Sequence, residues 1–282
     1  SDFSDAIRQF PTYALSMIYK EKLNFYNYDR KSFLDILLAS LNFTFSIQHK
    51  DGSFDEFYPN ERGWVGPSAF LIFSMVETVE NIKHEIQKEK LNYYIKKISL
   101  TLDYISKGDF EGDSLANHHA MACLALWKGF KLTKNKKYYT AYRNSLKTFI
   151  NHYHIKNEGW SKEYDGIDPG YLSATISFLG KIFSDNGDKK IKKICLDSIE
   201  TLKYFFYPNN HFGGTLGSRN TQHIYSHGLS IFYNYSDTAK ALLNLTHAHL
   251  KEKTQISPEA MSDRYFGYRI PEYLETFLEI KK

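Results

Sequence analysis

Asp51-Gly52-Ser53-Phe54 is the first of four places where polar residues, a glycine and an aromatic residue stand together. The other three are Gly108-Asp109-Phe110, Glu158-Gly159-Trp160 and His211-Phe212-Gly213. The glycines at 52, 108, 159 and 213 are separated by 56, 51 and 54 residues. A period of this length accommodates one antiparallel helix pair and two connections. The spacing therefore predicts an array of stacked helix pairs.

The residues between these motifs have helical periodicity almost throughout. Tyr94, Ile98 and Leu102 share one helical face, as do Ile191 and Cys195, and alternating strand patterns are scarce. The predicted helices are 32–46, 67–80, 89–106, 114–131, 136–153, 169–184, 189–206, 222–234, 236–251 and 271–280. Pro169 and Pro271 are predicted in first turns and Ser236 as an N-cap. We predict an all-α fold, an α/α toroid of about five antiparallel helix pairs, closed or incomplete. It is one domain over 1–282 that can belong to a longer chain.

The connections between the predicted helices are of two kinds, which alternate. One kind is short and built from Lys, Asn, Asp and Gly. The other kind is long and rich in acidic, aromatic and histidine residues. The long connections are 48–64, 108–113, 157–168, 209–223 and 261–269. Alternate connections of an α/α toroid lie on one rim, so the sequence predicts that these segments meet there.

Composition excludes several classes of protein. Lys+Arg 36 against Asp+Glu 32 gives a net charge of +4 that is scattered along the chain, which argues against a nucleic-acid partner. Cys123 and Cys195 are too few for a disulfide framework or a four-cysteine zinc site, and both are predicted to be buried. No apolar stretch approaches the roughly 18 residues of a membrane span. Localisation stays open: the sequence reads as cytoplasmic, and a removed signal segment would make it periplasmic.

Four stretches carry a resemblance to a known family. They are Asp51–Glu61, Asn117-His118-His119, Glu163–Tyr171 and Gly217–Thr221. In these the chain is similar to a little-characterised bacterial family found with surface-polysaccharide genes, which itself resembles the α/α-toroid domain of heparinase II/III and alginate lyases. The resemblance implies an α/α toroid that acts on an acidic, uronate-containing polysaccharide. We expect no cofactor and no metal.

The resemblance also implies roles for an Asn/His pair near a toroid helix. In the lyases such a pair helps to neutralise the uronate carboxylate, and Asn117 with His118 or His119 are the matching types. The residues themselves leave the alternative that either histidine is buried and structural. A metal would need a third ligand that the sequence does not place.

Tyr164 and Arg219 are the two residues for which the sequence suggests the most specific chemical roles. A phenol can remove the C5 proton of a uronate and then protonate the leaving oxygen. Arg219 follows a glycine-rich stretch and can hold a carboxylate with two parallel hydrogen bonds. The alternatives are that Tyr164 only packs and that Arg219 forms a structural ion pair. Glu163 and Asp168 flank Tyr164, and Asp168 is also the natural N-cap of the next helix.

The remaining candidates are predicted to bind substrate, because aromatic faces and hydrogen-bonding groups are what sugar sites use. They are Glu56, Tyr58, Glu61, Trp64, Asp113, Asn117, Trp160, Asn220, His223, His227, Asp263 and Arg264. The predicted catalytic set is Tyr164, His118, His119, Arg219, Asp168 and Glu163.

Three functions stay open on the sequence alone. The leading hypothesis is a polysaccharide lyase or C5-epimerase. The second is an inverting glycoside hydrolase, which needs two carboxylates about 6.5–9.5 Å apart. Its candidates are Glu56 or Glu61 against Asp113, Glu163, Asp168 or Asp263. The third is a glycan-binding or scaffold domain without chemistry. The oligomeric state is unknown.

Overall fold

The computed structural model describes residues 5–23, 29–56, 65–107 and 115–282. Over these residues the chain is helical, with one two-stranded antiparallel hairpin formed by β1 (His154–Ile155) and β2 (Trp160–Ser161). The helices are α1 (Ala6–Gln9), α2 (Thr12–Lys20), α3 (Arg30–Ser46), α4 (Val65–Ile82), α5 (Lys88–Lys107), α6 (Ala116–Thr133), α7 (Lys136–Thr148), α8 (Pro169–Asn186), α9 (Lys189–Leu202), α10 (Ser226–Ile231), α11 (Asp237–Glu252) and α12 (Asp263–Ile280).

The chain divides into two compact units. Unit 1 contains Ser1–Phe110, Ala125–Tyr142 and Asp263–Pro271, and unit 2 contains Glu111–Leu124, Arg143–Ser262 and Glu272–Lys282. The single-domain assignment stays a prediction. In unit 1, α4 is buried on nearly all faces and packs against α2 and α5. Its partner α5 buries one face, as its periodicity predicts.

Unit 2 is built around α8, which is buried along most of its length. It packs against α9 and α10, and α9 turns its apolar face inward through Ile191, Cys195 and Ile199. The prediction of buried cysteines is confirmed: Cys123 and Cys195 are free and fully buried. Burial raises the pKa of the Cys123 thiol to about 12, so it has little thiolate character.

The glycine motif makes the same contact in each unit. Gly52 has a φ of +93°, and a Cβ there would lie 2.3 Å from the Leu100 carbonyl oxygen of α5. Gly159 has a φ of +68°, and a Cβ there would lie 2.7 Å from the Asp197 carbonyl oxygen of α9. A threonine on each helix closes the contact: Thr101 Oγ1 donates to the Gly52 carbonyl and Thr201 Oγ1 to the Glu158 carbonyl, both at 2.7 Å. At these two positions the glycine is required by the close approach of a connection to a helix, whereas Gly108 lies outside the described residues.

Several boundaries differ from the sequence prediction. α1 and α2 were not predicted, α10 covers only six of the residues predicted as a helix at 222–234, and α7 gives way to a π-helical turn at Phe149–Tyr153. The prediction that 261–269 forms a connection is wrong, because α12 begins at Asp263. Pro271 lies inside this helix and not in its first turn.

Tertiary packing explains how α12 forms upstream of Pro271. Proline lacks an N–H and its ring crowds the carbonyl four residues earlier, so the sequence alone favours a helix start there. In unit 1 the ring of Tyr268 lies 5.1 Å from that of Phe10 and 5.4 Å from that of Phe70. Gly267 lets Pro11 approach so closely that a Cβ would lie 2.5 Å from its Cγ. This burial stabilises the helical turns that precede the proline.

Among the described residues, no helix is both long enough and apolar enough to cross a lipid bilayer.

Candidate functional site

A single buried carboxylate joins two of the long connections in unit 2. Asp168 is fully buried and caps α8, since its Oδ1 accepts a hydrogen bond from Tyr171 N at 2.9 Å. Its Oδ2 accepts from Arg219 N at 3.0 Å and from Thr221 N at 3.3 Å. The predicted N-cap is confirmed, and the same side chain fixes the backbone on both sides of Asn220. Because three N–H groups occupy its oxygens, we assign Asp168 to this framework.

The same two connections also touch through Ser218 and Gly217. Ser218 N donates to the Ile167 carbonyl at 3.0 Å, and Ser218 Oγ donates to the Glu163 carbonyl at 2.7 Å. Gly217 lies so close to α8 that a Cβ would be 2.5 Å from Pro169 Cδ and 2.6 Å from Asp168 Oδ2. The segments 157–168 and 209–223 therefore meet in unit 2, as the alternation of connections predicts for this part of the chain.

The start of α6 joins this contact through a buried carboxyl group. Glu163 is 1% exposed, and its two oxygens accept from Asn117 N and Asn117 Nδ2, each at 2.7 Å. Burial raises the pKa of Glu163 to about 8, and the Asp168 charge adds to the rise, while the Asn117 hydrogen bonds and Arg219 oppose it. Glu163 is therefore mostly protonated at neutral pH. Asn117 is itself 2% exposed, and its amide faces Glu163.

Tyr164 and Arg219 lie together at the surface above this buried layer. The Arg219 guanidinium carbon lies 4.4 Å from the centroid of the Tyr164 ring, a cation–π contact. Both residues are exposed, Tyr164 to 36%. Among the described residues, no carboxylate forms an ion pair with Arg219. Tyr164 has a φ of +57°, a left-handed conformation that is strained for an aromatic residue.

The two adjacent histidines have different surroundings. His119 is buried, with Nε2 2.8 Å from the Ser145 carbonyl and its ring stacked 4.7 Å from that of Tyr153. His118 is half-buried and near enough to Arg219 to feel its charge. Burial and the Arg219 charge together lower the pKa of His118 to about 4. His118 is thus a neutral imidazole at neutral pH.

The other predicted binding residues are distributed over the chain. Tyr58, Glu61, Trp64 and Asp113 lie outside the described residues. Glu56, Asp263 and Arg264 belong to unit 1, where Asp263 and Arg264 form the first turn of α12. Asn220 and His223 belong to the 209–223 connection, and Trp160 lies in β2, where its indole N–H donates to Glu158 Oε2 at 2.5 Å. Their substrate-binding roles stay predictions.

His227 has a different environment from the one expected. It lies in α10, buried, with Nδ1 3.8 Å from Glu275 Oε2 and its backbone N donating to Glu272 Oε2 at 3.3 Å. The Lys181 ammonium contacts Glu272 Oε1 at 2.7 Å and Glu275 Oε2 at 2.8 Å. Burial disfavours the charged lysine, but the two carboxylates outweigh it and raise its pKa. His227, Glu272 and Glu275 could surround a metal ion, yet Lys181 already supplies a cation there.

Sequence reasoning missed this buried cluster and the role of Ser218. Ser218 carried a usable signal, because it stands between Gly217 and Arg219 in the glycine-rich segment. Lys181, Glu272 and Glu275 carried none, since their spacing along the helices is ordinary for surface charges. They become buried where α8 and α10 contact α12 from Glu272 onward.

A comparison of the sequence with family models matches residues 27–229 to the ulvan lyase N-terminal domain. The match covers more than half of the chain. The chain belongs to the ulvan lyase N-terminal domain family. This confirms the expected resemblance to an α/α-toroid family that acts on carbohydrates. Among curated proteins, none matches the chain.

Solved structures share the fold of this family member at low sequence identity. The cellobiose 2-epimerase from Bacillus thermoamylovorans B4167 is similar with a TM-score of 0.73 and 9% identity, over 98% of this chain and 88% of the epimerase. A sugar epimerase from a ruminal bacterium has a TM-score of 0.69, with 10% identity over 98% and 87% of the two chains. A polysaccharide lyase has a TM-score of 0.64, with 10% identity over 99% and 90%. These likenesses confirm the predicted α/α-toroid fold class.

Proposed function

We propose that this protein removes the C5 proton of a uronate unit in a polysaccharide, as a lyase or a C5-epimerase. The observation that carries the proposal is the exposed contact between Arg219 and Tyr164, together with His118, a neutral imidazole near enough to feel the Arg219 charge. A fixed cation, a phenol and an uncharged imidazole are the groups that such a reaction needs. Membership of the ulvan lyase N-terminal domain family supports the same class of reaction.

Arg219 binds and neutralises the uronate carboxylate in this proposal. A carboxylate beside the C5–H bond normally makes that proton hard to remove, because a second negative charge would build up on the same group. A guanidinium that pairs with the carboxylate stabilises the charge that develops. Arg219 is exposed and its backbone is fixed by Asp168, so it is presented to solvent from a rigid support. The protonated Glu163 beneath it adds no competing negative charge at neutral pH.

His118 and Tyr164 divide the proton transfers. The His118 imidazole takes the C5 proton, and the electron pair of the C–H bond forms the C4=C5 double bond as the C4–O4 bond breaks. The Tyr164 hydroxyl protonates the departing O4, and proton exchange with solvent then restores both side chains. An epimerase would share the first step and return a proton to the opposite face of C5. The carboxyl groups of Glu163 and Asp168 are buried and hydrogen-bonded within the protein, which gives the hydrolytic alternative little support.

The test is turnover of uronate polymers, including ulvan, in deuterated buffer. A lyase produces an unsaturated sugar that absorbs ultraviolet light, and an epimerase incorporates deuterium at C5 without that absorbance. Arg219→Ala and Arg219→Lys should both lose activity, because a lysine cannot reproduce the planar pair of hydrogen bonds. Arg143→Ala removes an exposed arginine of the same unit and should keep full activity. No product and no deuterium on any uronate polymer would refute the proposal.

A further inference from the structure

A pocket lies at the end of α8 opposite to Asp168. Its volume is about 860 Å³, within the range of ligand-binding pockets. It is lined at the end of α8 by Phe183, Ser184 and Gly187, whereas Asp168 caps the start of that helix. Eighteen helical residues span about 27 Å. The pocket is therefore separate from the cluster around Arg219.

Aromatic rings are among the residues that line this pocket, and they are held in place by one another. Tyr235 meets Phe183 edge to face, with ring centroids 5.7 Å apart, and Phe183 in turn stacks on Phe232 at 5.4 Å. The Lys192 ammonium lies 3.9 Å from the centroid of the Tyr235 ring. Tyr233 also lines the pocket. Fixed rings of this kind provide the flat apolar surface against which a sugar ring can pack.

Neutral hydrogen-bonding side chains also line the pocket. Asn244 and His247 are three residues apart on α11 and so share a helix face, and Asn234 precedes that helix. Within the described parts of the chain, these three side chains form no hydrogen bond to another residue. The amides and the imidazole can each donate and accept, which matches sugar hydroxyl groups.

The charges at the pocket compensate each other. Glu279 and Lys282 both line it, and Lys282 Nζ lies 2.7 Å from Glu279 Oε2. The lining cation, Lys282, is thus paired, and Lys192, which contacts the Tyr235 ring, is not among the residues that line the pocket, whereas Arg219 at the other end of α8 is exposed. A uronate entering here would lose water around its charge without a partner that replaces it.

We infer that this pocket binds a neutral hexopyranose unit, so that the protein holds a polysaccharide at a place distinct from the reacting uronate. The inference goes beyond the proposed function and does not depend on the reaction. It needs only a carbohydrate ligand with an uncharged sugar, and the lining chemistry selects that class.

The experiment is a titration followed by the side-chain amide signals of Asn234 and Asn244 in nitrogen-15-labelled protein. The matched probes are methyl β-D-glucoside and methyl β-D-glucuronide. They differ only at C6, which is a hydroxymethyl group in the glucoside and a carboxylate in the glucuronide. The glucoside should give saturable shifts and the glucuronide should bind at least about fivefold more weakly. Methyl galactoside and methyl mannoside complete the neutral panel.

Two variants make the result decisive. Asn244→Ala with His247→Ala removes two exposed polar groups and should abolish the saturable shift of Asn234, whereas Asn157→Ala, an exposed asparagine of the same unit, should leave it unchanged. Saturation by none of the neutral glycosides, equal binding by the double variant, or glucuronide binding as tight as glucoside binding would each overturn the inference. Arg219→Ala should leave the shifts intact, so a failure of the proposed reaction would be seen separately.

Discussion

The surfaces at the two ends of α8 differ in the kind of side chain that they expose. At its start, Asp168 and Glu163 are buried and fully engaged, and they fix the backbone that carries Arg219 and Tyr164. At its end, the pocket beside Phe183 is lined by Asn234, Asn244 and His247, whose side chains form no hydrogen bonds to described residues. Chemistry on a bond needs groups fixed within fractions of an ångström, whereas binding a neutral sugar needs only complementary polarity.

At the start of α8, burial changes the pKa values of two side chains. It raises the pKa of Glu163 to about 8 and, with the Arg219 charge, lowers that of His118 to about 4. A carboxylic acid that keeps its proton and an imidazole that stays neutral thus lie in one cluster. Neighbouring groups whose pKa values are strongly shifted are found more often at catalytic sites than at binding surfaces. The predictions below test whether the start of α8 is rigid and reactive in this sense.

The largest effect is expected from the phenol. Tyr164→Phe keeps the ring under Arg219 and removes only the hydroxyl, so turnover should fall by about two orders of magnitude or more with little change in binding. Tyr204→Phe, in the same unit and 77% exposed, is the control and should keep full turnover. The assay is the rate of product formation on the uronate polymer that the wild type uses. Near-normal turnover by Tyr164→Phe would remove this residue from the reaction.

The next largest effect is a pH dependence of stability. Glu163 holds its proton up to about pH 8 in the folded chain and to about 4.5 when unfolded, so the folded state binds more protons between these values. The resulting stabilisation is complete below the lower value and is lost as pH rises through the upper one. Glu163→Gln cannot lose a proton, so its stability relative to wild type should rise by about 2 kcal/mol between about pH 6 and pH 8.

Urea unfolding across the pH range measures this difference. Glu279→Gln, in α12 near the other end of α8, removes a partly exposed ion pair with Lys282, which typically contributes less than about 1 kcal/mol, and one of the smaller electrostatic influences on His227. Its stability difference from wild type should stay nearly constant over the same range. A flat difference for Glu163→Gln would mean that the carboxyl group is not held protonated.

An effect of comparable size is expected from the close approach of the two connections. Gly217→Ala places a Cβ within 2.6 Å of both Pro169 Cδ and Asp168 Oδ2, which should lower stability by roughly 1–3 kcal/mol and weaken activity. Gly166→Ala is the control in the same cluster, because its nearest atom would be Ser218 Cβ at 4.0 Å. Thermal unfolding compares the two variants. Equal melting temperatures would show that the connections can separate without cost.

The smallest effect concerns the strained backbone of Tyr164. Tyr164→Gly and Tyr164→Ala both lose the ring and its contact with Arg219, but only alanine keeps the strain of a positive φ. The glycine variant should be the more stable of the two by about 1 kcal/mol, and both should be inactive. Chemical denaturation of the pair measures this. If alanine were as stable as glycine, the left-handed conformation would not be a feature of the folded protein.

Much of the fold could be predicted from the sequence because it rests on local patterns. The faces of α5 and α9 follow from apolar spacing, and Asp168 was identifiable as an N-cap from its place before Pro169. The start of α12 could not be predicted. Packing of Tyr268 and Gly267 in unit 1 outweighs the tendency of Pro271 to begin a helix.

The types of residue in the site could be predicted, but which of them are buried and which are exposed could not. The sequence identified Tyr164 and Arg219 as candidate catalytic residues, and the family resemblance added His118 and His119. It could not tell that His119 contacts Ser145 whereas His118 lies within reach of the Arg219 charge, because adjacent helical residues differ in direction by about 100° and tertiary packing decides which of them points inward. Nor could it show that Asn117 is occupied by Glu163, a contact between residues 46 positions apart.

Asp168 also determines how the start of α8 and the 209–223 connection unfold locally. The amide groups of Tyr171, Arg219 and Thr221 all donate to one side chain, so none of them can lose its partner by a purely local fluctuation of its own segment. Hydrogen–deuterium exchange should therefore find these three amides in one cooperative opening, although some fifty residues separate Arg219 and Thr221 from Tyr171 in the chain. The helix start and the connection beside it would then unfold and refold as a single unit.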